Sequence, residues 1–261
     1  MMRRTRKRFP VKRLADGRAV LNIACGTTMS WSWNNTDFSP YARLAHHRLT
    51  ASFLRAIGII SADRYRKLLT VDPQIVVWDL RRRFPYADET FDAVYSSHFL
   101  EHLDRGAVPD LLAECMRVLK RDGIIRTVVP DLLAIVNRYK RTAMLLENGN
   151  RDALKDHGQS VMDLFDQMVR ARASGTAKGS LFVRSLERLC RGGARRQGEL
   201  HRWMYDKYTL SRLLFEAGFI EIEVHTPFTS RIEGWGALNL DADGNGAVCK
   251  PGLLYIEGAK R

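Results

Sequence analysis

The stretch "LNIACGTTMSWSWNNTDFSP", residues 21–40, decides the fold. "AVLNIAC" (19–25) is a short apolar run entering a Gly-Thr-Thr turn, which predicts a buried strand. "WNNTDF" (33–38) predicts a second strand, weaker because two Asn interrupt it. Between them stand a single glycine, Gly26, and then an acid, Asp37, eleven positions later. A dinucleotide turn has three glycines opening a long helix and its acid about 20 residues on. This loop offers Ala24, Gly26 and Thr28, with too little room for a full helix.

Outward from there the pattern alternates. A loose helical face carries Tyr41, Leu44, Phe53 and Ile57, and "QIVVWDL" (74–80) is a β-branched strand ending in an acid. "FDAVYSSH" (91–98) is a fourth strand. Val108, Leu111, Leu112, Cys115, Met116 and Leu119 then form one helical stripe. "GIIRTVV" (123–129) is a fifth strand stopped by Pro130, with Asp131 placed to cap a helix bearing Leu132, Ile135, Val136 and Tyr139.

Residues 147–200 break the rhythm. One amphipathic helix (Val161, Phe165, Met168, Val169) and a second around Leu181 to Leu189, with five Arg between 184 and 196, predict an inserted helical cap that could serve as a lid. A helix through Leu210, Leu213, Leu214 and Ala217 follows, then "FIEIEVH" and "LLYIEGA". Two late strands without a helix between them predict an antiparallel last strand on an otherwise parallel sheet. The expected fold class is α/β and Rossmann-like, with helices on both faces.

The chain has 261 residues and 45% hydrophobic content, enough for one large domain spanning 19–261. Its formal charge is +13, of which residues 1–18 hold +7, so most of the excess is a basic N-terminal arm. Such an arm is expected to be solvated, or to touch nucleic acid or an anionic membrane weakly. No run approaches a membrane span, and "MMRRTRKRFPVKR" has charge without a signal peptide's apolar region. Cys25, Cys115, Cys190 and Cys249 form no CxxC pair, which argues against zinc or a disulfide framework. A reducing, cytoplasmic setting is the expectation.

In an open parallel sheet, ligands bind beyond the carboxyl ends of the strands. Those ends carry Ala24-Cys25-Gly26, then Asp37, Asp79-Leu80, and Ser96-Ser97-His98 followed by Glu101-His102. Small residues let the first turn approach a ligand, Asp37 suits ribose hydroxyls, and Asp79 suits an exocyclic amine. A bulky diphosphate would miss the helix N-terminus that normally holds it, whereas a nucleoside with a small zwitterionic tail has no such demand. An NAD oxidoreductase ranks last on that ground.

These blocks, with "VVWDLRRRFPYADETFDAVYSSHFLEHL" (76–103), "ECMRVLKRDGIIRTVVPDL" (114–132), "HRWMYDKYTLSRLLFEAGF" (201–219) and "CKPGLLYIEGAK" (249–260), follow one another in a familiar order. The chain resembles the class I S-adenosylmethionine-dependent methyltransferases, closest to the type 11 branch often met in sugar and polysaccharide pathways. The resemblance implies S-adenosylmethionine as cofactor. Asn22, Ala24, Cys25 and Gly26 would contact its methionine portion, Asp37 its ribose, Asp79 and Leu80 its adenine, with Ser96, Ser97 and His98 beside the sulfonium. Ala24 departs from the family's usual glycine, and an Ala methyl is tolerated there provided φ is negative.

His98 is the expected base, and His201 a second catalytic candidate. Arg126, Asp131, His201 and Tyr205 are the expected substrate residues, while Trp203 reads as core and His102 as a residue packing the following helix. "DADGNG" (241–246) imitates a calcium loop, but Gly252 holds the place of its last ligand, and a hairpin loop is expected. No His, Asp or Glu set of metal-ligand spacing appears, so no metal is assigned. Neither a flipped-base turn nor a nucleophilic Cys follows strand four. The expected acceptor is therefore an O or N of a small molecule or saccharide unit. RNA methylation and a non-catalytic scaffold are the alternatives.

Overall fold

The computed structural model describes residues 9–168, 201–243 and 245–261. Seven strands form one sheet: β1 (Val20–Ile23), β2 (Asn34–Asp37), β3 (Val76–Val77), β4 (Phe91–Ser97), β5 (Leu119–Pro130), β6 (Ile220–His225) and β7 (Leu253–Ala259). Their order is β3-β2-β1-β4-β5-β7-β6. The pairs among β1 to β5 are parallel, and β7 lies antiparallel to both β5 and β6. Only β7 is therefore reversed, as expected. The order turns back between β1 and β4, which places the switch-point crevice beyond their carboxyl ends.

β2 forms although its sequence, Asn-Asn-Thr-Asp, has little strand propensity. All four residues are buried, and each has its polar atoms satisfied. Asn34 receives the Lys12 amide at 2.7 Å and donates to the carbonyls of Lys12 and Val20. Asn35 donates to the Ser30 and Trp33 carbonyls, Thr36 lies 3.3 Å from the Tyr86 hydroxyl, and Asp37 accepts two backbone amides. Local polar closure overrides propensity here. β3 shrinks to two residues because it is an edge strand whose chain turns at once, the Arg82 amide donating back to the Asp79 carbonyl.

The helices are α1 (Pro40–Ala45), α2 (Arg48–Ala56), α3 (Ala62–Leu69), α4 (Val108–Val118), α5 (Leu132–Glu147), α6 (Leu154–Met168) and α7 (Lys207–Glu216). The single face expected over 41–57 is two helices broken at His46-His47, with Phe53 and Ile57 exposed. α4 and α7 cover one face of the sheet through Leu111, Leu112, Cys115, Leu210 and Leu214 against Leu21, Ile23, Val94 and Ile125. Burying each aliphatic side chain there stabilises the fold by about 1.5–3 kcal/mol. The other face, over Val20, Tyr95, Val128 and Tyr255, is covered by the loop after β6 through Ile232, Trp235 and Leu240.

Residues 9–18 are part of this domain rather than a free arm. Phe9 and Val11 pack against the first cluster and Leu14 against the second, and Lys12 pairs with Asp72 at 2.7 Å. Of the insertion, α6 is described; it packs on α5, where Arg138 binds Asp156 and Asp163 and Thr142 meets His157 at 2.9 Å. The second helix, the arginine cluster and the lid expected in that insertion fall on or rest on residues outside those described. Among the described residues no helix is long and apolar enough to cross a membrane.

Candidate active site

The parallel register sets Ile23 beside both Thr36 and Ser96, and Asp37 beside Val77, so the ends of β1 to β4 lie abreast. The first loop is tied to β2 through one side chain. The Gly26 amide donates to Asp37 Oδ2 at 2.7 Å, and the Ser39 amide donates to Oδ1 at 2.5 Å. Each carboxylate oxygen keeps a second lone pair for a ligand hydroxyl.

Gly26 has φ +53, and Ala24 has φ +50. The proviso on Ala24 therefore fails: its backbone is left-handed, which costs a residue with a Cβ roughly 1–2 kcal/mol. Such strain concentrates where a loop is shaped for a ligand.

Asn22 and Cys25 serve that loop from behind. Asn22 is buried and donates to the Thr28 carbonyl and to Asn35. The Cys25 thiol is buried among Ala42, Ala45, Val71 and Ile75, and burial, reinforced by the Asp37 charge, pushes its pKa well up. Its amide and carbonyl are engaged by Thr36 and Thr28. The side chains of these two residues are thus engaged within the protein, behind the loop expected to meet the cofactor.

Asp79 is gripped bidentately by Arg81, at 2.9 and 2.8 Å, and these hydrogen bonds hold its carboxyl below the usual range. Leu80 is buried beside it, at one end of a cavity of about 340 Å³ that runs between the 81–83 loop and α4. Of the expected cofactor residues, only Leu80 lines that cavity.

At the end of β4, Ser96 is buried with an unpartnered hydroxyl, Ser97 ends the strand, and His98 leaves it at φ +52. The chain then makes a 3-10 turn, Leu100–His102, that meets the extended segment at 201–203. The Arg202 amide donates to the Glu101 carbonyl at 2.6 Å, and the His102 and His201 rings meet edge-to-face at 4.8 Å. Four ionisable side chains converge: His98 Nδ1 stands 3.2 Å and His102 Nε2 4.0 Å from Glu101 Oε1, with His201 alongside. Residues 98, 101 and 102 stand close together in the chain just past β4, although in the sequence His102 reads only as packing the following helix. The partner at 201 was not legible from spacing.

Three of the four expected substrate residues are engaged within the protein. Arg126 is fully buried and all five of its guanidinium N–H groups are engaged: by Asp241 twice, by Glu257, and by the carbonyls of Thr226 and Thr229. It also lies 4.3 Å from the Trp235 ring. It clamps the 226–241 loop to the sheet and has no donor left for a substrate. Asp241, the first acid of the calcium-like hairpin, is its counter-ion and also accepts from Tyr95 at 2.7 Å. Asp131 caps α5 by accepting from the Leu133 amide. Tyr205 is buried in the main core, its hydroxyl pushed up to about 12 by burial with help from the Glu101 charge. Trp203 is not core; it is partly exposed beneath Arg105, 4.5 Å from the ring. His201 lies beside Glu101 and His102.

Residues 21–127, from β1 into β5, match the family described as Methyltransferase domain. No curated protein matches the chain. Solved structures that align with it include a SAM-dependent methyltransferase from Archaeoglobus fulgidus, at 16% identity over 93% of this chain and 86% of the other, TM-score 0.40. A possible histamine N-methyltransferase from Thermotoga maritima aligns at 15% identity over 93% and 82%, TM-score 0.44. A protein from Pyrococcus horikoshii aligns at 13% identity over 95% and 84%, TM-score 0.45. Over residues 21–127, then, this chain is similar to the family of methyltransferase domains.

Proposed function

We propose that the chain transfers the S-adenosylmethionine methyl group to an oxygen or nitrogen of a small molecule or saccharide unit. The observation that carries this reading is the meeting of two half-sites at the β1/β4 switch point. The Ala24–Gly26 loop is locked to Asp37 on one side, and the left-handed His98 is backed by Glu101 on the other.

Methyl transfer from a sulfonium is an in-line displacement. An acceptor lone pair forms a bond to the methyl carbon, the carbon–sulfur bond breaks, and its electron pair leaves on sulfur. The acceptor's proton must go elsewhere. His98 is the group placed to take it: its Nδ1 stands 3.2 Å from Glu101 Oε1, and its Nε2 is buried without a hydrogen-bond partner among the described residues. Asp37 holds the ribose and Leu80 packs the adenine.

The basic segment contributes little to a nucleic-acid reading where it is described, since Lys12 and Arg18 are paired with Asp72 and Asp16. A reducing compartment fits the free thiols at Cys25, Cys115 and Cys249.

Calorimetry with S-adenosylmethionine, followed by a tritiated-methyl transfer assay on source-cell extracts with the labelled product identified by mass, tests the assignment. Saturable binding and a labelled small molecule or glycan are expected. Absence of cofactor binding would leave the scaffold reading, and labelled RNA would replace the acceptor class.

A further inference from the structure

We propose that Glu101, His102 and His201 bind a divalent transition-metal cation of the zinc class beside the methyl-transfer centre, with His98 bracing the carboxylate. The candidate ligand atoms come from two segments a hundred residues apart and lie within 4.8 Å of one another. Two imidazoles and one carboxylate are the donor set of open, catalytic zinc sites, and they suit other borderline divalent ions in the same geometry.

A second observation points to a cation independently of that proximity. Glu101 is fully buried, and among the described residues neither of its oxygens has a hydrogen-bond partner. His98 approaches at 3.2 Å without the alignment of a hydrogen bond. Near this carboxylate, His98 Nε2 and the Tyr205 hydroxyl are also buried without hydrogen-bond partners among the described residues. A buried carboxylate without compensation costs several kcal/mol, and native proteins satisfy such groups with an ion, a partner or water. A divalent cation supplies the missing charge.

In the tetrahedral geometry of such sites, bonds of ~2.1 Å set ligand atoms ~3.4 Å apart, so binding draws the atoms of this set, now within 4.8 Å of one another, together by up to ~1.4 Å. An imidazole χ2 rotation supplies that movement. Carboxylate ligands of such sites are braced by a neighbouring group, and His98 Nδ1, 3.2 Å from Glu101 Oε1, is placed to brace this one when its other oxygen takes the ion.

The chemical use of the ion rests on the methyl-transfer reading, whereas its binding does not. An acceptor hydroxyl on the open coordination position becomes more acidic and is fixed for attack. Its proton passes to His98 Nε2, its oxygen takes the methyl carbon, and the sulfonium leaves as a neutral thioether.

The test uses the full chain stripped by chelator and titrated with Zn²⁺ by calorimetry and with Co²⁺ by visible absorption. One equivalent should bind saturably, with a Co²⁺ ligand-field spectrum of a low-symmetry N/O site. Glu101→Gln and His201→Ala should each weaken binding at least about tenfold, and His225→Ala, at the β6 edge, should leave it unchanged. Circular dichroism confirms that each variant is folded, and the wild-type Co²⁺ spectrum stands whether or not they are. Lack of a stoichiometric Co²⁺ site, or equal affinity in wild type, Glu101→Gln and His201→Ala, would overturn the proposal. S-adenosylmethionine titration of the stripped protein separates the two readings, because cofactor binding is expected there without metal.

Discussion

The Gly26 amide points at Asp37 Oδ2 across 2.7 Å, so the turn after β1 and the end of β2 are one structural unit. A ribose bound by Asp37 would then sit where the loop is already fixed, with no ordering of the loop left for the ligand to impose.

Asp37→Ala removes two charge-assisted hydrogen bonds to backbone amides as well as the proposed ribose acceptor. The expected outcome is a loss of about 1.5–3 kcal/mol in stability and at least a tenfold weaker S-adenosylmethionine affinity, read by denaturant unfolding and calorimetry. Unchanged affinity would remove Asp37 from the cofactor site.

Ala24→Gly relieves a left-handed backbone but gives the unfolded chain more freedom, and the two effects oppose. Relief of roughly 1–2 kcal/mol exceeds an entropic penalty of about 0.4–1 kcal/mol. The variant should melt slightly higher, with cofactor affinity equal or better. A lower melting temperature would show that the Ala methyl makes contacts worth more than the strain.

Arg126→Met leaves Asp241 and Glu257 buried without their cation. Breaking a buried pair by deleting one partner destabilises by about 3–5 kcal/mol. Chemical denaturation should show that loss, and any folded fraction at low temperature should retain its KM. A folded, stable Arg126→Met with a raised KM would restore this residue to the substrate site.

Arg81 holds the Asp79 carboxyl below its ordinary value, and the sign of the pH effect follows. The folded state keeps Asp79 ionised at pH values where the unfolded chain has begun to protonate it. The pair's contribution is therefore complete above pH ~4 and disappears as pH falls through the lowered folded value. Arg81 is largely exposed, so the contribution is only about 0.2–1 kcal/mol. Stability curves of wild type and Arg81→Ala should differ by that amount near neutrality and converge in acid; parallel curves would mean that the pair is not formed in solution.

The strand order of chemistry was legible along the chain because it depends on local signals. Apolar runs, a Gly-Thr-Thr turn and acids at strand ends placed the loop of residues 24–26, Asp37 and His98 at one sheet edge before any coordinates. β2 shows where that reading weakens: Asn-Asn-Thr-Asp has no strand propensity, and its pairing comes from hydrogen bonds to Lys12, Val20, Ser30 and Tyr86 that sequence does not display.

Three things were decided only by tertiary packing. Arg126 looks from its place on β5 like a residue reaching into a pocket, yet two acids 115 and 131 positions away consume it. The φ of Ala24 is set by the closure of its loop on Asp37. The gathering of Glu101, His102 and His201 depends on the Glu101 carbonyl receiving the Arg202 amide, a backbone bond between distant segments that no local periodicity encodes. Secondary structure follows from neighbours in the chain, whereas a cluster of charges is built by neighbours in space.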